Sequence, residues 1–156
     1  MAEPLSGWTR RGWLRDAAMS FAISATPLPL WATPEEVTRD LAEIFGETPI
    51  REGRVALSLP ALAENGNSVA LGIDVDSPMS EADHVVSVHV FAEKNPLPRV
   101  AEFELGPLAG KASIRTRIRL ADSQSVLAVA KMSDGSLYSG TASIEVTQAA
   151  CLDFLI

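Results

Sequence analysis

Seven short runs of alternating apolar and polar residues follow one another between positions 55 and 147, and together they indicate an all-β fold. Alternation with a period of two places successive side chains on opposite faces of a strand. Turn-forming pairs such as Asn65-Gly66, Gly106-Pro107 and Asp134-Gly135 separate the runs. This spacing predicts an immunoglobulin-like β-sandwich of about seven strands. We place the strands near residues 55–59, 69–75, 84–92, 100–105, 112–120, 125–131 and 137–147.

A short helix is predicted in front of the first strand. Thr33 is a capping residue, Pro34 suits the first helical position, and Glu36 can complete a capping box. Gly46 is expected to end the helix. The apolar stripe that would pack on the sandwich consists of Val37, Leu41, Ile44 and Phe45.

The first 32 residues have the pattern of an export signal. Arg10 and Arg11 form a twin-arginine pair, and the apolar run at residues 17–26 follows them. This run is too short to span a membrane. We predict a twin-arginine signal peptide at 1–32, a single domain at 33–156 and a periplasmic location. The alternative for the first segment is a disordered or amphipathic extension.

The charge balance excludes two classes of binding partner. The chain has a formal net charge of −7, and residues 1–32 carry more arginines than acidic residues, so the predicted domain is more acidic still. An acidic domain has no general affinity for nucleic acid or for an anionic membrane surface. The apolar content of 47% is typical of a folded chain.

Cys151 is the only cysteine of the chain, so it cannot form an internal disulfide. If Ile144 and Val146 face the core, alternation places Cys151 on the polar face with Glu145. Two interpretations follow. The thiol is either an inert, small apolar residue or a group that forms a covalent bond with a substrate or partner.

Three arginines share one face of the strand predicted at residues 112–120, namely Arg115, Arg117 and Arg119. Guanidinium groups in this arrangement can recognise an oxyanion or an acidic partner. The alternative is a solvated face that neighbouring acidic residues balance. The two histidines, His84 and His89, have an odd spacing that puts them on opposite faces of a strand, so no metal site and no cofactor are predicted.

Five segments of the chain resemble SoxY, the sulfur-carrier subunit of the bacterial thiosulfate-oxidising system. They occur in the expected order between Thr33 and Cys151. The segments are Leu62-Ala-Glu-Asn-Gly-Asn-Ser-Val69, Asp76-Ser-Pro-Met79, His89-Val-Phe-Ala-Glu-Lys-Asn-Pro-Leu-Pro98, Thr116-Arg-Ile-Arg-Leu-Ala121 and Met132-Ser-Asp-Gly135.

The resemblance implies an immunoglobulin-like, non-enzymatic carrier that holds its substrate covalently on Cys151. In SoxY this cysteine lies in a Gly-Gly-Cys-Gly-Gly arm, whereas this chain has Ala149-Ala-Cys-Leu-Asp153. The implied partners are a separate SoxZ-like subunit, a haem-containing enzyme that loads thiosulfate, and a hydrolase that releases sulfate. The alternative is a SoxY-like interaction module associated with a periplasmic quinoprotein or other redox system, without covalent sulfur cargo.

Overall fold

The structure, a computed structural model, describes residues 34–148. Within this range, one α-helix and nine strands form a two-layered β-sandwich. The helix is α1 (Pro34–Phe45), and two short 3₁₀ turns lie at Gly66–Ser68 and Pro107–Ala109. The strands are β1 (Ile50–Glu52), β2 (Val55–Ser58), β3 (Leu62–Ala63), β4 (Val69–Val75), β5 (Val85–Ala92), β6 (Arg99–Glu104), β7 (Ser113–Ile118), β8 (Gln124–Met132) and β9 (Leu137–Val146).

Two sheets make up the sandwich. The larger sheet has the order β1-β9-β8-β5-β6, and β3 also pairs with β9. The smaller sheet has the order β2-β4-β7. The pairings of β5, β6, β8 and β9 with one another are antiparallel, whereas β1 and β3 run parallel to β9. β6 and β7 are therefore edge strands, one in each sheet.

The sequence-based prediction of an all-β sandwich preceded by a short helix is confirmed. The seven predicted strands correspond to β2 and to β4 through β9, with ends that agree within two residues. β1 and β3 were not predicted. They have three and two residues, too few to show alternation, and each pairs with a strand that is distant in sequence.

β5 is buried on both of its faces. Val88 and Val90 point into the core between the two sheets, which is the larger of two apolar clusters. Phe91 points to the outer face and belongs to the second cluster, with Val129 and Leu137. Burial on both sides makes β5 the most enclosed strand of the larger sheet. The polar side chains that lie between these apolar ones are therefore buried too.

The helix covers the outer face of the larger sheet. Its predicted stripe of Val37, Leu41, Ile44 and Phe45 packs on Phe91 and its neighbours, which confirms the prediction. Gly46 follows the last turn with a φ of 64°, a conformation that glycine adopts without strain. The C-terminal end of α1 is thereby placed above β5.

Candidate functional site

The described residues stop close to the predicted carrier cysteine. Cys151, Arg10 and Arg11 lie outside the described range, so their predicted roles stay predictions. Gln148, three residues before Cys151, is the last described residue. The Gly66 amide donates a hydrogen bond of 2.8 Å to the Gln148 carbonyl, and the Gly66 carbonyl accepts one of 2.9 Å from Leu120. The chain therefore leaves the sandwich beside the Gly66–Ser68 turn and the residues that follow β7.

Arg115 is neutralised by an acidic neighbour. Its guanidinium donates to the Asp74 carboxylate across a distance of 2.8 Å. Hydrogen bonds from Arg115 and from Ser113 lower the pKa of the Asp74 carboxyl. Arg115 and Ser113 are exposed and the Asp74 side chain is half-exposed, so the pair contributes little to stability. For this arginine the structure favours the interpretation of a balanced, solvated sheet face.

Arg117 and Arg119 have different surroundings from Arg115. Together with Arg99 on β6 they line an open cavity of about 390 Å³ at the edge of the sandwich, which we name the arginine cavity. Arg117 donates weakly to the Ser68 carbonyl and hydroxyl at 3.3 Å. The full lining consists of Asn95, Pro96, Leu97, Arg99, Val100, Ala101, Arg117, Ile118 and Arg119.

A buried amide holds the two sides of the arginine cavity together. Asn95 donates to the Arg119 carbonyl at 2.9 Å and accepts a hydrogen bond of 2.9 Å from the Ala121 amide. Its oxygen also accepts from the Gln124 side chain at 3.1 Å. Asn95 is buried, so these bonds satisfy groups that water does not reach. They fix the loop before β6 against the end of β7.

A second polar cluster lies under the end of α1. His89 is buried, and its Nε2 lies 3.1 Å from the Ser87 hydroxyl. Its Nδ1 lies 3.8 Å from a Glu102 carboxylate oxygen and has no hydrogen-bond partner among the described residues. The Phe45 ring contacts the imidazole edge-on at a centroid distance of 5.0 Å. The cluster borders a cavity of about 440 Å³.

The order of hydroxyl, imidazole and carboxylate in this cluster does not amount to a nucleophilic site. β5 is an interior strand, and Ser87 and His89 are paired with β6 on one side and β8 on the other. Its amides at these positions serve the sheet, so they are not directed at a developing oxyanion. We interpret the cluster as a buried polar contact between the sheet and the helix.

We predict that His89 makes stability depend on pH. Burial is the main cause that lowers the pKa of His89 from its ordinary 6.5; Arg99 and Lys131 add to this, and Glu102 opposes it. As pH falls through 6.5, the unfolded chain binds the proton first, so the free energy of unfolding decreases until the pKa of the folded state is reached.

Urea unfolding of the wild-type chain and of His89→Gln at several pH values measures this effect. As the pH is lowered from about 7.5 to the onset of carboxylate titration, the wild-type chain should lose stability relative to the variant. Parallel curves for the two proteins over that interval would show that His89 is protonated equally in both states.

Comparison with protein families decides to which family the chain belongs. Residues 41–151 match the model of the family described as sulfur oxidation protein SoxY. The chain belongs to the SoxY family. The matched segment includes all nine described strands and ends at Cys151. A search of curated proteins finds no match.

Solved structures agree with membership of the SoxY family. The sulfur carrier protein SoxY from Chlorobium limicola f thiosulfatophilum superposes with a TM-score of 0.61 at 26% identity, over 72% of this chain and 97% of that one. A superoxide reductase (neelaredoxin) from Ignicoccus hospitalis gives 0.53 at 15% identity, over 75% and 95%. A putative superoxide reductase from Thermotoga maritima gives 0.53 at 16%, over 64% and 93%. These two reductases share the fold alone.

Two of the segments that carry the SoxY resemblance meet at the arginine cavity. Residues 89–98 include Asn95, and residues 116–121 include Arg117 and Arg119. Arg99, which follows the first segment directly, was missed by the sequence analysis because it lies on a different strand in a different sheet. The described residues hold no group of three or more side chains suited to binding a metal ion. No described helix is long and apolar enough to cross a membrane.

Proposed function

We propose that this SoxY-family chain is a non-enzymatic, periplasmic carrier of thiosulfate oxidation that holds its substrate covalently on Cys151. The observation that supports the proposal most directly is the reach of the family match, which extends through the whole sandwich to this cysteine. The similarity to a structure described as a sulfur carrier protein supports the same function.

The carrier chemistry requires one reactive thiolate. Loading joins the Cys151 sulfur to the outer sulfur of thiosulfate, giving a cysteine S-thiosulfonate and releasing two electrons. A haem-containing enzyme accepts these electrons. Hydrolysis of the terminal sulfur–sulfur bond then consumes water, releases sulfate and two protons, and leaves a persulfide on the cysteine. The thiolate, not the thiol, is the nucleophile in such reactions.

The residues around Cys151 differ from the glycine-flanked arm of other SoxY chains. Alanine and leucine allow fewer backbone conformations than glycine, so we propose that entry into a partner enzyme is slower or depends on the partner. A separate SoxZ-like subunit is the proposed partner. The twin arginines Arg10 and Arg11 support export, so we propose that the reaction takes place outside the cytoplasm.

Intact-mass measurement of the chain from cells oxidising thiosulfate tests this function. We expect the protein in the periplasmic fraction, copurified with a SoxZ-like subunit and carrying sulfur-containing adducts that a reductant removes. The same cells grown without thiosulfate provide the control. An unmodified protein during active thiosulfate oxidation would instead favour the interaction-module alternative.

A further inference from the structure

The arginine cavity concentrates positive charge in an acidic protein. Three guanidinium groups line it, and none of its lining residues is acidic, although the chain as a whole carries −7. Among residues 34–148, Asp122 is the acidic residue bound to nearby Lys94, at 3.5 Å, and Arg115 holds Asp74. None of the three cavity arginines forms an ion pair with a carboxylate of the described residues.

Two of the cavity arginines have guanidinium groups that no other side chain of the described residues holds in place. Within the described part of the chain, the side chains of Arg99 and Arg119 have no hydrogen-bond or ion-pair partner. The backbone of Arg119 is nonetheless fixed by Asn95. A fixed backbone that carries an unengaged guanidinium group is suited to binding an anion, because the group needs no release from another partner first.

The arginine cavity lies close to the point where the chain continues towards Cys151. Gly66 lies between the backbones of Gln148 and Leu120. It is joined to Gln148 by a hydrogen bond of 2.8 Å and to Leu120 by one of 2.9 Å. Backbone segments joined by such a hydrogen bond lie about 5 Å apart, so Gln148 lies roughly 10 Å from Leu120, the residue that follows Arg119. Three residues of chain extend by at most about 10 Å. A group bound to Cys151 is therefore within reach of the Arg119 side chain.

We propose that the arginine cavity binds a tetrahedral sulfur oxyanion, and that this oxyanion is the sulfonate end of the group carried on Cys151. The inference rests on the proposed function, because it assumes that Cys151 carries a sulfonate. Three guanidinium groups supply enough donors for the three sulfonate oxygens. Exposed ion pairs are individually weak, but attachment to the chain gives the sulfonate an effective concentration in the millimolar range.

Chemical loading of the purified chain tests the arginine cavity independently of the cell. The Cys151 thiolate attacks tetrathionate at an inner sulfur, which forms the cysteine S-thiosulfonate and releases thiosulfate, so no further oxidant is needed. We expect the amide NMR signals of Ala101 and Ile118 to shift on loading. These shifts should be lost in the double variant Arg99→Gln/Arg119→Gln and retained in the matched control Arg115→Gln, whose arginine lies outside the cavity.

A titration of Cys151→Ser with free thiosulfate distinguishes an oxyanion bound from solution from the sulfonate of the group carried on Cys151. We expect saturable shifts of the same amide signals at millimolar concentrations, and a dissociation constant about threefold to fivefold higher in Arg119→Gln. Arg115→Gln should bind thiosulfate with the same dissociation constant as the chain without an arginine substitution. Binding of free thiosulfate without any response to loading would overturn the assignment to the carried group.

The outcomes distinguish this inference from the proposed function. Absence of adducts in cells would contradict the function, whereas chemically loaded protein without shifts at Ala101 and Ile118 would contradict the role of the arginine cavity. Shifts that persist in Arg99→Gln/Arg119→Gln would also overturn it. All the substituted arginines are exposed, so the variants should fold, and unchanged amide signals in β4 and β5 verify this.

Discussion

Replacing Cys151 by serine is expected to abolish both the sulfur adducts and thiosulfate-dependent growth. The serine hydroxyl cannot form a sulfur–sulfur bond, so the loss should be complete and not a reduction in rate. The variant gene must be the only copy in a host that depends on thiosulfate. Intact mass of the isolated protein and growth rate on thiosulfate are the two measurements.

Ala150→Gly provides the matched control for the cysteine variant. It alters the neighbouring residue but keeps the thiol, and it moves the segment towards the glycine-flanked pattern. This variant should carry adducts at least as readily as the wild-type chain. If the Cys151→Ser strain grows normally on thiosulfate, the interaction-module alternative becomes the better account of the chain.

Alternation of side chains explains why most of the fold could be predicted from the sequence. β4 and β9 each alternate between a face towards the core and an outer face over at least seven residues, and turn residues mark their ends. The helix was equally clear, since Pro34 and Gly46 bound it and its apolar stripe has a single orientation. Local patterns of this kind depend only on neighbouring residues.

The remaining features depend on contacts between distant segments. β1 and β3 are strands only because β9 runs beside them. The arginine cavity brings Arg99 to Arg119 through the hydrogen bonds of Asn95, and no spacing in the sequence indicates that contact. The sequence could place Arg115, Arg117 and Arg119 on one face, but it could not show that Asp74 engages only the first of them.

Gly140→Ala is expected to destabilise the sandwich by about 3 kcal/mol or more. Gly140 lies in the middle of β9, opposite Ala128 of β8. A Cβ atom there would collide with the Val55 carbonyl oxygen of β2 and would lie 3.0 Å from Leu57 Cδ1. A carbonyl group in the backbone cannot rotate away as a side chain can, so the two sheets would have to separate locally. Urea unfolding measures the loss.

Gly72→Ala is the matched control, because it makes the same substitution at a strand glycine with a different neighbour. The added Cβ would lie 3.3 Å from the guanidinium atoms of Arg115, a flexible and exposed group that can move by a few tenths of an ångström. We expect its effect on the free energy of unfolding to stay within about 1 kcal/mol. Domains of this size are stable by only about 5–15 kcal/mol, so Gly140→Ala should unfold at a clearly lower urea concentration than Gly72→Ala. Equal midpoints for the two variants would mean that the approach of β9 to β2 is looser than the structure describes.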